Sequence, residues 1–284
     1  MSITFSDKEN RKYDVLDLKS ILREIGADDC NYLFIHSDIM FGKPSEGFKR
    51  GEYLRTLSEI VYDLNVGLII PTFTYSFPNH EDYDVVNSRT LMGAFNEYIR
   101  KQYGRYRTLD PLLSLSVPYG LKNTFDCLST HSLGPGSGLD VVHHIDGVKF
   151  LFLGAEMGDC FTYVHYVEKM MEVPYRFDMS FTGTLIEEEG NSRTVTQYIH
   201  TQCGGVVLPP KYDYFENEME EKGFLKKKRL ADKYVACISE TDAYREIRKK
   251  IVEDKYFFVA KPYTAEDLTH VYTYDYTKGR ITHC

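Results

Sequence analysis

YLFIHSDIMFGKPSEGFKRGEYLRTLSEIVYDLNVGLIIP, residues 32–71, sets the architecture. Tyr32-Leu33-Phe34-Ile35 is a short apolar run that reads as a buried strand, and it runs directly into the polar triplet His36-Ser37-Asp38. From Gly51 to Leu64, the residues Tyr53, Leu54, Leu57, Ile60, Val61 and Leu64 recur at helical spacing and form one apolar stripe. Val66-Gly67-Leu68-Ile69-Ile70 is a second buried strand, stopped by Pro71. Apolar strands joined through an amphipathic helix are the pattern of parallel strands covered on both faces. The expectation is an α/β fold: one domain over residues 1–284 with a central, mostly parallel sheet flanked by helices.

The flanking sequence extends this pattern. Leu16, Leu18, Ile21, Leu22 and Ile25 predict a helix over 14–26, ended by Gly26. Residues 72–88, TFTYSFPNHEDYDVVNS, read as a long aromatic and polar functional loop. A helix is predicted from Leu91 to Tyr103, a strand from Leu112 to Val117, and a third buried strand from Lys149 to Leu153. A further helix is predicted from Thr162 to Met171. Phe181–Glu188 and Arg193–Thr201 flank a turn and predict a β-hairpin. Helices follow near 212–221 and 241–253, with the basic run Lys226-Lys227-Lys228-Arg229 between them.

Composition narrows the function. The 284 residues carry 34 basic and 42 acidic side chains, a net charge of −8. Such a chain lacks the positive field that nucleic acids or anionic membranes require, although a small anion can still bind a local basic pocket. No apolar run reaches the length of a membrane span, and the polar start at Met1–Lys12 has no secretory h-region. The cysteines at 30, 127, 160, 203, 237 and 284 form no CxxC pair. Neither a zinc knuckle nor a redox pair is expected, and a reduced, cytoplasmic protein is the simplest reading.

Several constellations could carry chemistry. Thr162, His165 and Glu168 share one helix face, and a carboxylate beside a histidine can fix its tautomer and raise its basicity to suit a general base. The same spacing also fits a helix histidine with an incidental acidic neighbour. His36-Ser37-Asp38 lies where open α/β sheets bind ligands, or it caps a loop. Arg105, Arg107 and Thr108 could hold phosphate or form a solvated basic loop. GPGSG at 134–138 is not a dinucleotide fingerprint and defaults to a loop. Lys226–Arg229 is either a solvated face or a contact for distant phosphates. Cys160 lies about 140° around the helix from His165, poorly aligned for a thiol–imidazole pair. His131, His143 and His144 form no metal set. Phe73, Tyr75 and Phe77 are packing residues or a cleft wall.

Taken in order, LFIHSD (33–38), LIIPTFTYSF (68–77), YRTLDPLLSLSV (106–117), THSLGPGS (130–137), VKFLFLG (148–154) and FTYVHYVEKMMEVPYR (161–176) resemble the aminoglycoside 3-N-acetyltransferase, or antibiotic N-acetyltransferase, family. The resemblance spans about residues 15–260. It implies that family's own α/β fold and direct transfer of an acetyl group from acetyl-CoA to a primary amine of an amino sugar, without a metal. The family's Thr-x-x-His-x-x-Glu pattern falls on Thr162, His165 and Glu168, which implies His165 as general base and Glu168 as its orienting partner. By the same match Ser37, Thr72, Arg107 and Thr108 belong to the coenzyme wall, and Thr74, Tyr75 and Asp110 to the acceptor side. Drug-modifying members usually carry His where this chain has Asp110. That departure favours a nucleotide- or lipid-linked amino sugar of surface polysaccharide over an antibiotic.

A sugar amine is mostly protonated near neutral pH, so an imidazole with a pKa of about 6.5 to 7.5, raised by a carboxylate, suits its deprotonation. Asp110, Glu168 and Asp82 or Asp84 are candidates for holding ammonium groups, and Thr162 or Thr108 for the oxyanion. The partners implied are small molecules rather than nucleic acid or membrane, with a homo-oligomer left open. Two other classes remain: an inactive coenzyme-binding or scaffold relative, and a hydrolase using Cys160 with His165.

Overall fold

A computed structural model describes residues 3–102, 104–202, 211–260, 264, 272–275, 277 and 280–283. In chain order the elements are β1 (Thr4–Ser6), β2 (Lys12–Asp14), α1 (Asp17–Glu24), β3 (Tyr32–Ser37), β4 (Lys43–Pro44), α2 (Arg50–Tyr62), β5 (Gly67–Pro71), β6 (Tyr83–Asp84) and α3 (Gly93–Arg100). There follow β7 (Arg105–Arg107), β8 (Leu115–Pro118), α4 (Lys122–Phe125), α5 (Gly138–His144), β9 (Val148–Leu153), α6 (Met157–Cys160) and α7 (Tyr163–Met170). The chain continues through β10 (Arg176–Ile186), β11 (Ser192–Gln202), α8 (Lys211–Glu221), β12 (Lys226–Leu230), β13 (Lys233–Ser239), α9 (Glu240–Glu253), β14 (Tyr272–Asp275) and β15 (Arg280–His283). Of the sequence expectations, Tyr103 at the end of the third predicted helix, Cys203 and Cys284 lie outside the described residues.

The principal sheet has seven strands in the order β12-β13-β9-β3-β5-β8-β7. Its centre is parallel: β3 pairs with β9 and with β5. Every other pairing in it is antiparallel. The sheet is therefore mixed, which corrects the mostly parallel expectation. The reason is connectivity. A parallel neighbour needs a crossover that carries the chain back along the sheet. Here β7 and β8 fold back on each other, and so do β12 and β13. The basic run 226–229, read from the sequence as a solvated face or a contact for distant phosphates, forms edge strand β12, with Lys227 bonded to Glu216 and Lys228 paired with Glu24.

Alternation along the strands separates two cores. Leu33, Ile35, Leu68, Ile70, Leu151 and Leu153 face α1, α2 and α3, where Leu22, Leu57, Val61 and Phe95 cover them. Phe34, Ile69, Phe150 and Phe152 face the other way, toward Val142, Val164, Val167 and Ile247 of α5, α7 and α9. Each such side chain contributes about 1.5–3 kcal/mol when withdrawn from water. Two helix starts are fixed by side-chain caps: Ser137 accepts from the Asp140 amide at 3.2 Å, and Ser239 from the Asp242 amide at 3.1 Å. The GPGSG turn thus serves to enter α5. The predicted hairpin is present as β10–β11, joined at one end to β6.

These elements converge at the carboxyl ends of β3, β5 and β9. Gly154 ends β9 at φ +73°, and a Cβ there would collide with the Asp38 carbonyl oxygen. Glycine is required for the two strand ends to approach this closely.

Candidate active site

At that edge lies a cleft of about 690 Å³ lined by His36, Ser37, Phe73, Tyr75, Cys160 and Thr162, among others. Residues 71–75 alternate: Pro71, Phe73 and Tyr75 face the cleft. Thr72 and Thr74 turn inward, where Thr72 Oγ1 donates to the Ser114 carbonyl at 3.0 Å and Thr74 Oγ1 to the Pro111 carbonyl at 2.8 Å. Tyr75 has φ +51°, a left-handed conformation uncommon for a bulky residue and of the kind found at ligand clamps. Ser37 Oγ donates to Asn96 Oδ1 at 2.7 Å, while Asn96 Nδ2 donates to the Pro71 carbonyl at 2.9 Å, so one buried amide ties the ends of β3 and β5 together. His36 is 4% exposed and stacks on Phe152. Burial drives its pKa down to about 3, so this imidazole is neutral.

Arg107 and Thr108 sit behind this wall. Arg107 is buried and donates to the carbonyls of Thr72 at 2.8 Å and Ser88 at 2.6 Å, with its guanidinium over the Tyr83 ring. Thr108 Oγ1 accepts the Leu115 amide at 2.9 Å. Their donors and acceptors knit the 72–88 loop to β7 and β8. Asp110 is likewise interior, accepting from the amides of Leu112 and Leu113 at 2.8 and 3.0 Å and from Ser132 Oγ at 2.8 Å. Burial pushes its carboxyl above the usual range. Asp84 caps its own turn, accepting from the Val86 and Asn87 amides at 2.9 Å.

α7 carries the titratable centre. His165 Nδ1 lies 2.8 Å from Glu168 Oε2. Glu168 is 0% exposed, and its carboxylate also accepts Tyr175 OH and Arg176 Nε, both at 2.6 Å. Burial opposes its charge, yet Arg176, His165 and Tyr175 together hold its pKa down to about 2. Glu168 is therefore an anion with two fixed donors, Tyr175 and Arg176, and the His165 ring beside it. Tyr175 and Arg176, absent from the residue roles assigned by sequence, complete the site from β10 and the residue before it. Their signal was the PYR at 174–176, where proline ends the helical register and two polar-tipped side chains follow at once.

His165 is half-buried, with 27% of its side chain exposed. Its pKa is lowered, first by burial and then by the Arg176 charge, against the pull of Glu168. This corrects the expectation of an imidazole raised by its carboxylate: the arginine that anchors Glu168 also faces the ring, with Nη2 2.6 Å from Nδ1. Nδ1 cannot donate to Glu168 and accept from Arg176 at once. With Nδ1–H on Glu168, Nε2 is bare and basic. With Arg176 donating to Nδ1, the proton sits on Nε2.

Thr162, His165 and Lys169 lie on one face of α7 by their spacing. Thr162 lines the first cleft; Lys169 lines a second one, of about 510 Å³, together with Arg176, His200, Glu172 and Val173. His165 lines neither of these two and stands between them on the helix. Cys160 also borders the first cleft, but burial pushes its thiol far up, so it is no nucleophile at neutral pH. Cys30, Cys127 and Cys237 are free as well. No group of three metal-ligating side chains and no helix long and apolar enough to cross a membrane occurs among the described residues.

A family model described as aminoglycoside 3-N-acetyltransferase matches residues 67–251. No curated protein matches by sequence. Among solved structures, the aminoglycoside acetyltransferase AAC(3)-IVa apoenzyme aligns with a TM-score of 0.66 at 19% identity, over 87% of this chain and 91% of its own. AAC-IIIb in a binary complex with CoASH aligns at 0.67 and 15% identity, over 88% and 98%. AAC-VIa bound to sisomicin aligns at 0.68 and 15% identity, over 84% and 97%. At these identities the structural likeness speaks for the fold.

Proposed function

Because the chain belongs to the aminoglycoside 3-N-acetyltransferase family, a family of acyltransferases, we propose that it moves an acetyl group from acetyl-CoA to a primary amine of an amino sugar, with His165 as general base. The observation that carries this reading is the His165–Glu168 pair, its carboxylate anchored by Tyr175 and Arg176, on a helix face that runs from Thr162 in one cleft to Lys169 in another. A bisubstrate transfer needs two approaches to one base.

The thioester arm enters through the first cleft, past Ser37 and Tyr75 to Thr162. The acceptor reaches His165 from the second. The ammonium first loses one proton to solvent; His165 Nε2 then takes a second from the amine as the nitrogen adds to the thioester carbonyl carbon. The Thr162 hydroxyl is the side-chain donor at hand for the resulting oxyanion. Collapse breaks the C–S bond, and the imidazolium returns the proton to the departing thiolate. Glu168 keeps Nδ1–H in place and stabilises the transient imidazolium, as carboxylate partners of catalytic histidines do. Relatives bound to CoASH and to sisomicin support donor and acceptor classes of this kind.

Among amino sugars, the interior position of Asp110 favours an acceptor with few ammonium groups, such as a nucleotide- or lipid-linked amino sugar of surface polysaccharide. Asp110 and Glu168, two of the carboxylates a polycationic drug would need, are fully engaged within the protein. The test is free-thiol release from acetyl-CoA with glucosamine, UDP-glucosamine (the 2-amino sugar nucleotide), apramycin and sisomicin. The reading expects turnover with the monoamines and its loss in His165→Ala. Faster turnover on apramycin or sisomicin would reverse the acceptor assignment, and no thiol release with any amine would end the catalytic one.

A further inference from the structure

His200, which lines the second cleft, carries a buried ring nitrogen that no described residue satisfies. His200 of β11 sits directly across the hairpin from Asp178 of β10. Its Nδ1 is 2.9 Å from Asp178 Oδ1. The same carboxylate takes Lys169 Nζ at 2.9 and 2.7 Å. Against the opposing effect of burial, Lys169 and His200 hold Asp178 below the usual carboxylate range, so it is ionised and only accepts. Nδ1 must then carry the hydrogen, which leaves Nε2 a bare lone pair. His200 is 7% exposed, and Nε2 has no hydrogen-bond partner among the described residues. Burial first, then the charges of Lys169 and Arg176, bring its pKa down to about 4 despite Asp178, so protonation does not relieve the vacancy near neutral pH.

A buried polar atom without a partner is rare and calls for a physical reason. Here its surroundings supply one. His200 lines the second cleft with Lys169 and Arg176, and Arg176 Nη2 is 2.6 Å from His165 Nδ1. The same guanidinium reaches the His200 backbone carbonyl, Nη1 donating to it at 3.4 Å, so Arg176 touches both residues. The partner of a bare imidazole nitrogen must be an O–H or N–H. An ammonium is disfavoured, because the two cations that keep His200 neutral would also repel it. A neutral donor remains, and on an amino sugar that is a ring hydroxyl.

We propose that His200 is a specificity-determining residue of the acceptor side: seated in the second cleft, a hydroxyl of the amino sugar donates to His200 Nε2 and so orients the neighbouring amine toward His165. The inference rests on the acetyl-transfer reading above and adds to it the chemistry by which the acceptor is recognised. A site built to receive a hydroxyl discriminates strongly against an analogue lacking it, since the buried acceptor then stays unpaired.

The experiment uses full-length protein, acetyl-CoA and whichever amine of the panel turns over fastest, with monodeoxy analogues of that amine each lacking one hydroxyl. Wild type should lose about 10- to 100-fold in kcat/KM on one analogue, mainly through KM. His200→Phe, which keeps a ring but no acceptor, should show the same loss on the parent amine and no further loss on that analogue, with KM for acetyl-CoA unchanged. His200→Gln, whose amide oxygen can accept, should recover most of the activity and serves if the phenylalanine variant does not fold. Equal sensitivity of wild type and His200→Phe to every deoxy analogue overturns the inference while leaving acetyl transfer intact. No turnover by wild type on any amine overturns the acetyl-transfer reading itself and the inference with it. Nitrogen-15 spectra of the ligand-free protein give an independent check: His200 should be the neutral Nδ1–H form at pH 7, and an Nε2–H form would refute the assignment.

Discussion

Replacing Glu168 with glutamine should do two separable things. The residue is 0% exposed and receives Tyr175, Arg176 and His165. Its carboxyl is held from 4.5 down to about 2, which corresponds to about 3 kcal/mol of folding stability. The group is a depressed acid, so that stability is present above its unfolded pKa and is lost as pH falls through 4.5 toward 2. Glu168→Gln also leaves Arg176 buried without its carboxylate, and breaking such a pair from one side costs about 3–5 kcal/mol. A protein of this size loses about 2–4 °C in Tm per kcal/mol, so a fall of about 6–20 °C is expected at pH 7. At pH 3 the difference from wild type should shrink. Removing both charges in Glu168→Gln/Arg176→Gln should recover part of the loss, because the uncompensated guanidinium is gone. Turnover should fall about 10²- to 10⁴-fold in the single variant, since nothing then holds Nδ1–H and the competing Arg176 contact prevails. Thermal unfolding at pH 3 and 7 and thiol release at pH 7 read both effects. A Tm within 2 °C of wild type at pH 7, or turnover within threefold, would refute the account of the anion.

Other expectations follow from the same geometry. His165 should titrate below pH 6.5 in a histidine NMR titration, and in Arg176→Gln its midpoint should move upward, because removal of the guanidinium charge favours the imidazolium; a midpoint at or above 6.5 in wild type contradicts the arrangement. Cys160→Ser should retain turnover within about threefold, given a thiol that burial keeps protonated, whereas abolished turnover would revive a thiol mechanism. Gly154→Ala should destabilise by about 2 kcal/mol or more, as both its φ of +73° and the Asp38 carbonyl oppose a side chain, and an unchanged urea midpoint would disprove the close approach.

Much of the frame was readable from residue order, because the apolar runs at 32–35, 66–70 and 149–153 are too short and too continuous for anything but buried strands. The hairpin was readable from the turn residues between Phe181–Glu188 and Arg193–Thr201. Direction was not: whether β8 and β13 run with or against β5 and β9 depends on how long connections travel, and side-chain pattern carries no such information. At the site, the spacing of His165 and Glu168 announced their contact. The roles of Arg107, Thr108 and Asp110 were harder, since an arginine at a strand end looks the same whether it reaches a ligand or folds back onto the Thr72 and Ser88 carbonyls. The PYR at 174–176 marked Arg176 as a residue of interest but did not name Glu168 as its partner, because that contact joins a helix to a strand. Asn96 was hidden among the apolar residues of α3, although an amide one position after buried Phe95 was itself a clue.

The borders of the principal sheet bear on behaviour at high concentration. One rim is β12, where Lys226, Lys227, Lys228 and Arg229 stand side by side; the opposite rim, β7, is only three residues long. A second molecule docking backbone to backbone along β12 would set two rows of cations against each other, and along β7 it would find almost no ladder to extend. Fibrous stacking through this sheet is thus disfavoured at both ends.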